Sequence, residues 1–309
     1  MRTKVVFFGS TQLSAACLES LLNVEDFEIV LVVTQPDNLK SKKNPFNDVK
    51  KIALQHNLNL LQPQKITDIY DDLKRCQTNL GVCVAYGQFI STKICDLFSL
   101  GIINVHPSLL PKYRGGAPVA HAIWNNDAVT AISIMKIIQQ MDAGPYCYQQ
   151  EIKINPDWTA GDLMNHVISL APSILLNCLR KIVANEITWI KQDETKKSLA
   201  PVLTREQERI NWNQPANRIV QHIKAFSPQP GTFSEFAPQQ SIKWFNAKLG
   251  SHHLSSSFGT INHINNEYIC IQAQDDCVHI TDFLLPGKKR IKVCDYHGTY
   301  PVKVNDRLM

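Results

Sequence analysis

Four short apolar runs early in the chain limit what it can fold into. Val5-Val6-Phe7-Phe8 ends in Gly9-Ser10, and Ile29 to Val33 ends in Thr34-Gln35-Pro36-Asp37. Leu80 to Ala85 ends in Tyr86-Gly87, and Gly101 to Val105 runs straight into His106. None alternates with polar residues, so each reads as a strand covered on both faces, and such strands belong to parallel sheets. Helical spacings separate them: Ala15, Leu18, Leu21 and Leu22 within residues 14–22, then Val49 to His56, then Lys93 to Phe98. Leu58 to Leu61 fits a further short strand. This β-α-β rhythm predicts an α/β fold, an open and mostly parallel sheet with helices on both faces. Ligands of such sheets bind beyond the carboxyl ends of the strands. Gly9-Ser10, Ala85 to Gly87 and Asn104 to His106 all lie at such ends and are expected to converge.

The second half has a different texture. Ala160 to Lys181 is a long amphipathic pattern, one helix or two broken at Pro172, with Thr159 as its N-cap. After Ile190 the chain turns polar. Beyond Arg205, a helix at 217–225 ends at Phe226-Ser227-Pro228-Gln229-Pro230-Gly231. Short strand candidates follow at Ile242–Phe245, Gly259–Ile264, Tyr268–Gln272 and Val278–Phe283, the spacing of a small β-barrel. The expected organisation is a Rossmann-like domain over residues 1–190, a linker over 191–205 and an OB-like β-barrel over 206–309.

Composition narrows the class. The chain has 309 residues with a net charge of +5, divided as +3 over residues 1–205 and +2 over 206–309, so bulk charge does not point to nucleic acid. The nine cysteines contain no C-x-x-C pair, and Cys83 and Cys270 sit inside apolar runs. Buried free thiols in a reducing compartment fit this better than zinc or disulfides. No signal-like segment opens the chain, and its apolar runs are shorter than a bilayer crossing requires. A cytoplasmic protein with no membrane partner is expected. Gly9-Ser10-Thr11-Gln12 is not G-x-G-x-x-G and no Walker A motif occurs, so no nucleotide cofactor is expected.

The richest polar stretch is Asn104 to Gly116. Asn104 and His106, two apart on a strand end, project side chains the same way. An amide and an imidazole together can hold the oxygen of a carbonyl that becomes tetrahedral. Asp142, in Met141-Asp142-Ala143-Gly144, can orient that imidazole and accept a proton. By itself an Asn-x-His pair reads more readily as a structural polar pair, and an Asp-Ala-Gly stretch as an ordinary turn. Tyr113 and Arg114 read as loop supports, and Lys42-Lys43 and Lys288-Lys289-Arg290 more readily as solvated turns than as RNA sites.

Asn104 to Pro118, NVHPSLLPKYRGGAP, resembles the signature loop of the folate-dependent formyltransferases. The segment Pro201 to Phe233 is similar to the domain junction of those members that formylate methionyl-tRNA. So are VVTQPD at Val32–Asp37, VAYG at Val84–Gly87, MDAG at Met141–Gly144 and GKKRIKV at Gly287–Val293. The resemblance implies a catalytic trio of Asn104, His106 and Asp142. It implies tetrahydrofolate contacts from Ser108, Leu109, Leu110 and Pro111, and from Tyr86, Gly87, Gln88, Phe89 and Ile90. It implies tRNA contacts from Lys42, Lys43, Lys288, Lys289 and Arg290.

The implied reaction moves the formyl group of 10-formyltetrahydrofolate to the α-amino group of initiator methionyl-tRNA, on a monomer, without metal or nucleotide. Two features depart from the family pattern. The loop Asn38-Leu39-Lys40-Ser41 is two residues short, and Pro145 stands where an acidic residue is common. The alternatives are formylation of an amino sugar or a purine ribonucleotide amine, and a tRNA-binding protein without catalysis using Lys288, Lys289, Arg290 and Lys292.

Overall fold

The computed structural model describes residues 2–37, 47–238, 240–250 and 256–309. Lys42 and Lys43, and the shortened loop beside them, lie outside the described residues. The first elements are β1 (Thr3–Gly9), α1 (Gln12–Leu22), β2 (Phe27–Val33), α2 (Asp48–Gln55), β3 (Leu60–Leu61), α3 (Tyr70–Arg75) and β4 (Leu80–Val84). Then come α4 (Thr92–Cys95), β5 (Gly101–His106), α5 (Pro118–Trp124), β6 (Val129–Lys136), β7 (Tyr146–Lys153) and α6 (Ala160–Val183). The remainder is α7 (Ala216–Ala225), β8 (Thr232–Ala237), β9 (Gln240–Leu249), β10 (Ile261–Ile264), β11 (Ile269–Gln272), β12 (Cys277–Leu284) and β13 (Ile291–Lys292).

The first seven strands form one sheet in the order β3-β2-β1-β4-β5-β6-β7. From β3 to β5 every pairing is parallel, and β6 joins antiparallel to β5 with His106 opposite Ser133. The apolar runs are covered on both faces as expected: Val5, Val6, Phe7 and Phe8 are all fully buried. Gly9 is tight against α1, since a Cβ there would stand 2.6 Å from the Ser14 Cβ. Ser14 in turn donates its hydroxyl to the Val84 carbonyl at 2.5 Å, tying the start of α1 to the end of β4.

The carboxyl ends of the parallel strands do converge. Ser10 Oγ and Gln35 Nε2, which follow β1 and β2, both donate to the Tyr86 carbonyl after β4, at 3.2 and 3.0 Å. Cys83 of β4 pairs with Asn104 of β5. The helix expected over Lys93–Phe98 is one turn, Thr92–Cys95, and the one over Ala160–Lys181 runs unbroken through Pro172. Length and composition alone would let α6 pass for a membrane span, but its stripe of Leu163, Val167, Ala171, Leu175 and Leu179 is fully buried in the protein.

The remaining strands form an antiparallel sheet in the order β10-β11-β12-β9-β8, with β13 added to β12. It is a curled half-barrel: among the described residues the end strands β10 and β8 do not pair, so the OB-like barrel is open. Ile219 and Ile223 of α7 share its core with Trp212, Trp244, Ile271, Ile280 and Phe283. Trp212 and Trp244 both donate their indole N–H to Ser234 Oγ, at 3.0 and 3.1 Å, which satisfies two buried donors with one hydroxyl.

Two units interleave along the chain. The first holds Met1–Gly115, Val129–Ile152 and Asn165–Leu199; the second holds Gly116–Ala128, Lys153–Met164 and Ala200–Met309. In the second unit Trp124 of α5 stacks on His222 of α7, rings 4.8 Å apart and 4° from parallel. Burial holds the His222 imidazole below its ordinary pKa, which keeps it neutral in that stack.

Candidate active site

The site is built on the end of β5, inside the first unit. Asn104 and His106 occupy alternate positions of this strand and so share a face. His106 is 4% exposed. Its Nε2 lies 2.9 Å from the Tyr113 carbonyl, an acceptor, so Nε2 carries the proton and donates. Nδ1 then faces Asp142, with Oδ2 at 3.8 Å. That separation exceeds a hydrogen bond and leaves room for a ligand atom to engage both groups. The Asn104 amide makes no hydrogen bond to any described residue, so its donors are available to a ligand.

One loop holds both partners of this pair. Tyr113 sits at φ +62° and Gly115 at φ +124°, conformations that aim the Tyr113 carbonyl at His106 and the Gly115 N–H at Asp142. Gly115 N–H donates to Asp142 Oδ2 at 2.8 Å. Asp142 is itself left-handed, φ +49°, as is Ala85 at the end of β4, φ +43°. Three non-glycine residues in a sparsely populated backbone region therefore surround one constellation, a clustering typical of functional sites. Their conformations persist because the surroundings over-determine them.

The loop 107–111 is pinned from beneath. Ser108 Oγ donates to the Lys112 carbonyl at 2.6 Å, and Ser133 Oγ donates to the Ser108 carbonyl at 2.6 Å. Gln149 Nε2 donates to the Leu110 carbonyl at 2.9 Å. Ser108 and Leu110 are buried, whereas Leu109 and Pro111 are half-buried and present surface. In the other proposed ligand segment, Phe89 is 59% exposed beside Gly87, whose φ is +87°. Gln88 is occupied in joining loops: Oε1 accepts from Ile66 N–H at 2.7 Å and Nε2 donates to the Pro63 carbonyl at 3.1 Å.

The Tyr86 ring points away from this surface. It lies in the core with Phe8, rings 5.8 Å apart, and with Ile90 and Ile94, leaving the Tyr86 backbone at the turn. The positive φ of Ala85 turns the chain there, so the alternation of β4 does not carry on to Tyr86.

Sequence reasoning left Arg114 as a loop support and gave Gln192 no role. Both are buried, 3% exposed each. Arg114 Nε donates to Gln192 Oε1 at 2.9 Å, and its two terminal nitrogens donate to Glu194 at 3.2 and 2.7 Å. The guanidinium holds the Glu194 carboxyl below the usual carboxylate range. Gln192 Nε2 donates in turn to the Asp142 and Gly144 carbonyls, at 2.8 and 2.7 Å. Ser198 completes the contact, its Oγ accepting from Tyr113 N–H at 2.9 Å.

Of the basic residues expected to meet tRNA, Lys288 and Lys289 are exposed in the turn after β12. Arg290 is engaged, donating to Asp282 at 3.1 Å and lying 4.8 Å over the Phe245 ring. Among the described residues no group of three or more His, Cys, Asp or Glu side chains is placed to hold a metal ion.

This architecture has relatives. Residues 2–179 match the family described as formyl transferase, and residues 202–300 match the formyl transferase C-terminal domain. A methionyl-tRNA formyltransferase of Mesoplasma florum is 37% identical over 309 residues, covering 99% of this chain and 98% of the relative. That of Mycoplasma pneumoniae is 36% identical, covering 96% of this chain and 97% of the relative. A solved N-formyltransferase from Helicobacter canadensis, in complex with folinic acid and dTDP-3-aminofucose, shares the fold. Its TM-score is 0.70 at 18% identity, covering 91% of this chain and 98% of that one. The chain belongs to the formyl transferase family, among the methionyl-tRNA formyltransferases.

Proposed function

We propose that the protein transfers the formyl group of 10-formyltetrahydrofolate to the α-amino group of initiator methionyl-tRNA. The observation that carries this reading is that Asn104 and His106, both buried on one strand face, meet the half-buried Asp142, 3.8 Å from His106, in a chain that matches a methionyl-tRNA formyltransferase over 99% of its length. Asn104, with two unengaged N–H donors, holds the oxygen of the formyl group. As the unprotonated amine attacks the formyl carbon, a C–N bond forms and the carbonyl π pair moves onto that oxygen. Asn104 and a protonated His106, donating from Nδ1, stabilise the resulting oxyanion, an arrangement in which one donor is worth about 10²–10³-fold in rate.

Asp142 accepts the proton lost by the amine, directly or through water, and faces His106 Nδ1 while it does so. The oxyanion then collapses, the carbonyl re-forms, and folate N10 leaves with its bonding pair and takes the Nδ1 proton of His106, which Asp142 replaces with the one it took from the amine. The exposed Phe89, Gly87 and the half-buried Leu109 and Pro111 offer the surface on which the folate rests, and the buried members of the same two segments offer backbone atoms. On this reading the protein is a monomer that meets its tRNA substrate in the cytoplasm.

The test is a formylation assay with purified protein. Transfer from 10-formyltetrahydrofolate to initiator methionyl-tRNA, in strong preference to the elongator, is the expected result. Formylation of a free amino sugar without transfer to tRNA would overturn the reading, and tRNA binding without any transfer would make the chain a binder only.

The half-barrel contributes affinity for tRNA through Lys288 and Lys289, while Arg290, tied to Asp282, shapes the turn that presents them. Lys42 and Lys43 serve the same purpose at the acceptor end. Reversing Lys288 and Lys289 to Glu is expected to weaken tRNA binding and lower the slope of log affinity against log salt by about 2, one unit for each phosphate no longer neutralised. An unchanged slope in a salt titration would leave the two lysines as a solvated turn.

A further inference from the structure

We infer that Gln192 is a positioning residue for Asp142, and that Arg114 and Glu194 are the rest of the brace through which it acts. The inference rests on the catalytic reading of Asp142 given above and deepens it.

Asp142 has an unfavourable starting position. Its φ of +49° lies in the sparsely populated left-handed region. Among the described residues, the one hydrogen bond that locates its carboxylate comes from the Gly115 N–H, on a different loop. A carboxylate held at a single point can swing about it. What prevents this is the fixing of its backbone. The two protons of Gln192 Nε2 go to the carbonyls of Asp142 and Gly144, one on each side of Ala143, so a single amide clamps the turn at two points.

That amide has little freedom of its own. Gln192 Oε1 accepts from Arg114 Nε, which fixes which end of the carboxamide is nitrogen and keeps both N–H groups aimed at the turn. Arg114 is held by the two-point contact with Glu194. Arg114 also lies on the loop whose Tyr113 carbonyl and Gly115 N–H touch His106 and Asp142. The brace therefore joins the two loops that must keep a fixed separation, and the gap it sets is the 3.8 Å between His106 Nδ1 and Asp142 Oδ2. Both ends of the carboxamide are engaged, so a glutamine is required: glutamate at position 192 keeps the Arg114 contact but has nothing to donate to the two carbonyls.

The experiment compares Gln192→Glu in two backgrounds, with formyl transfer to initiator methionyl-tRNA followed under single turnover and at steady state. In the otherwise native protein kcat is expected to fall by about 10²-fold, the effect of misplacing a catalytic group by about an ångström, with KM for both substrates within twofold. In an Asp142→Asn background the same change is expected to cost less than threefold, because the group being positioned is already gone.

A loss of similar size in both backgrounds, or a rise in KM at constant kcat, would overturn the inference in favour of a general loop support. Retention of full kcat would overturn it outright. Thermal melting accompanies each variant. If the buried carboxylate unfolds the protein, Gln192→Met makes the same comparison without charge and is read by the same two outcomes. Absence of transfer in the native protein would instead strike the proposed function.

Discussion

His106→Ala is expected to lower the rate of formyl transfer by about 10³-fold while the protein remains folded. On the proposed mechanism the side chain has two duties. It supplies one of two donors to the oxyanion, and it gives its Nδ1 proton to the departing folate N10, each worth roughly 10²–10⁴-fold in comparable systems. Because both act on the same transition state, their losses do not multiply fully. The stability effect is separate and smaller. Alanine leaves the buried Tyr113 carbonyl without the donor it now has at 2.9 Å, at a cost of about 1–3 kcal/mol. Single-turnover rates and a melting curve on the same sample separate the two effects. A rate within threefold of the native protein would remove His106 from the mechanism.

Gly144→Ala is expected to damage stability and activity together. A Cβ at this position would stand 1.8 Å from the Lys136 carbonyl oxygen, and that oxygen belongs to backbone at the end of β6. No side-chain rotation relieves such a contact, so the turn 141–144 or the strand end must move. Forced overpacking of this kind costs about 1–3 kcal/mol or more, a drop of about 3–10 °C in melting temperature for a unit of this size. The displacement falls on the turn that carries Asp142 and on the carbonyl that accepts from Gln192 at 2.7 Å. A kcat reduced by about 10²-fold in the fraction that remains folded is the expected result. Native melting and native kcat together would mean that the turn relaxes without moving Asp142.

Much of the first unit was legible in the sequence because its central strands are buried on both faces. Val5–Phe8, Ile29–Val33 and Leu80–Val84 are uninterrupted apolar runs, and no other pattern suits them. β7 gave no such signal. It is the end strand of the sheet, four of its residues in Tyr146–Lys153 are half-buried and three exposed, and its polar residues follow no strict alternation. Pro172 was ambiguous in sequence because a proline removes one helical hydrogen bond. In the structure the apolar stripe on either side of it is buried as one surface, and the helix continues through.

The site divides in the same way. The common face of Asn104 and His106 was readable from their spacing, since strand geometry fixes it, while a catalytic role for them came only with the resemblance carried by Asn104–Pro118. The inward turn of the Tyr86 ring was not, because it depends on the φ of +43° at Ala85, an angle no residue type announces. Nor was Gln192 readable. It is one amide in the polar stretch Lys191–Ser198, and its partner Arg114 lies 78 residues earlier. Likewise the return of residues 116–128 and 153–164 to the second unit rests on long-range packing that leaves no local mark.

The lateness of that partner has a consequence for how the protein is born. A ribosome releases the chain from its N-terminus, so Asn104, His106, Asp142 and the whole central sheet emerge before Gln192, Glu194 and Ser198. Until those residues leave the exit tunnel, the nascent chain carries all three proposed catalytic side chains, with the two loops joined through the Gly115–Asp142 contact but without the Gln192 clamp. On the proposed reading the brace closes late in synthesis, and an interrupted translation product ending at the long helix α6 carries the proposed catalytic groups without the clamp that positions Asp142.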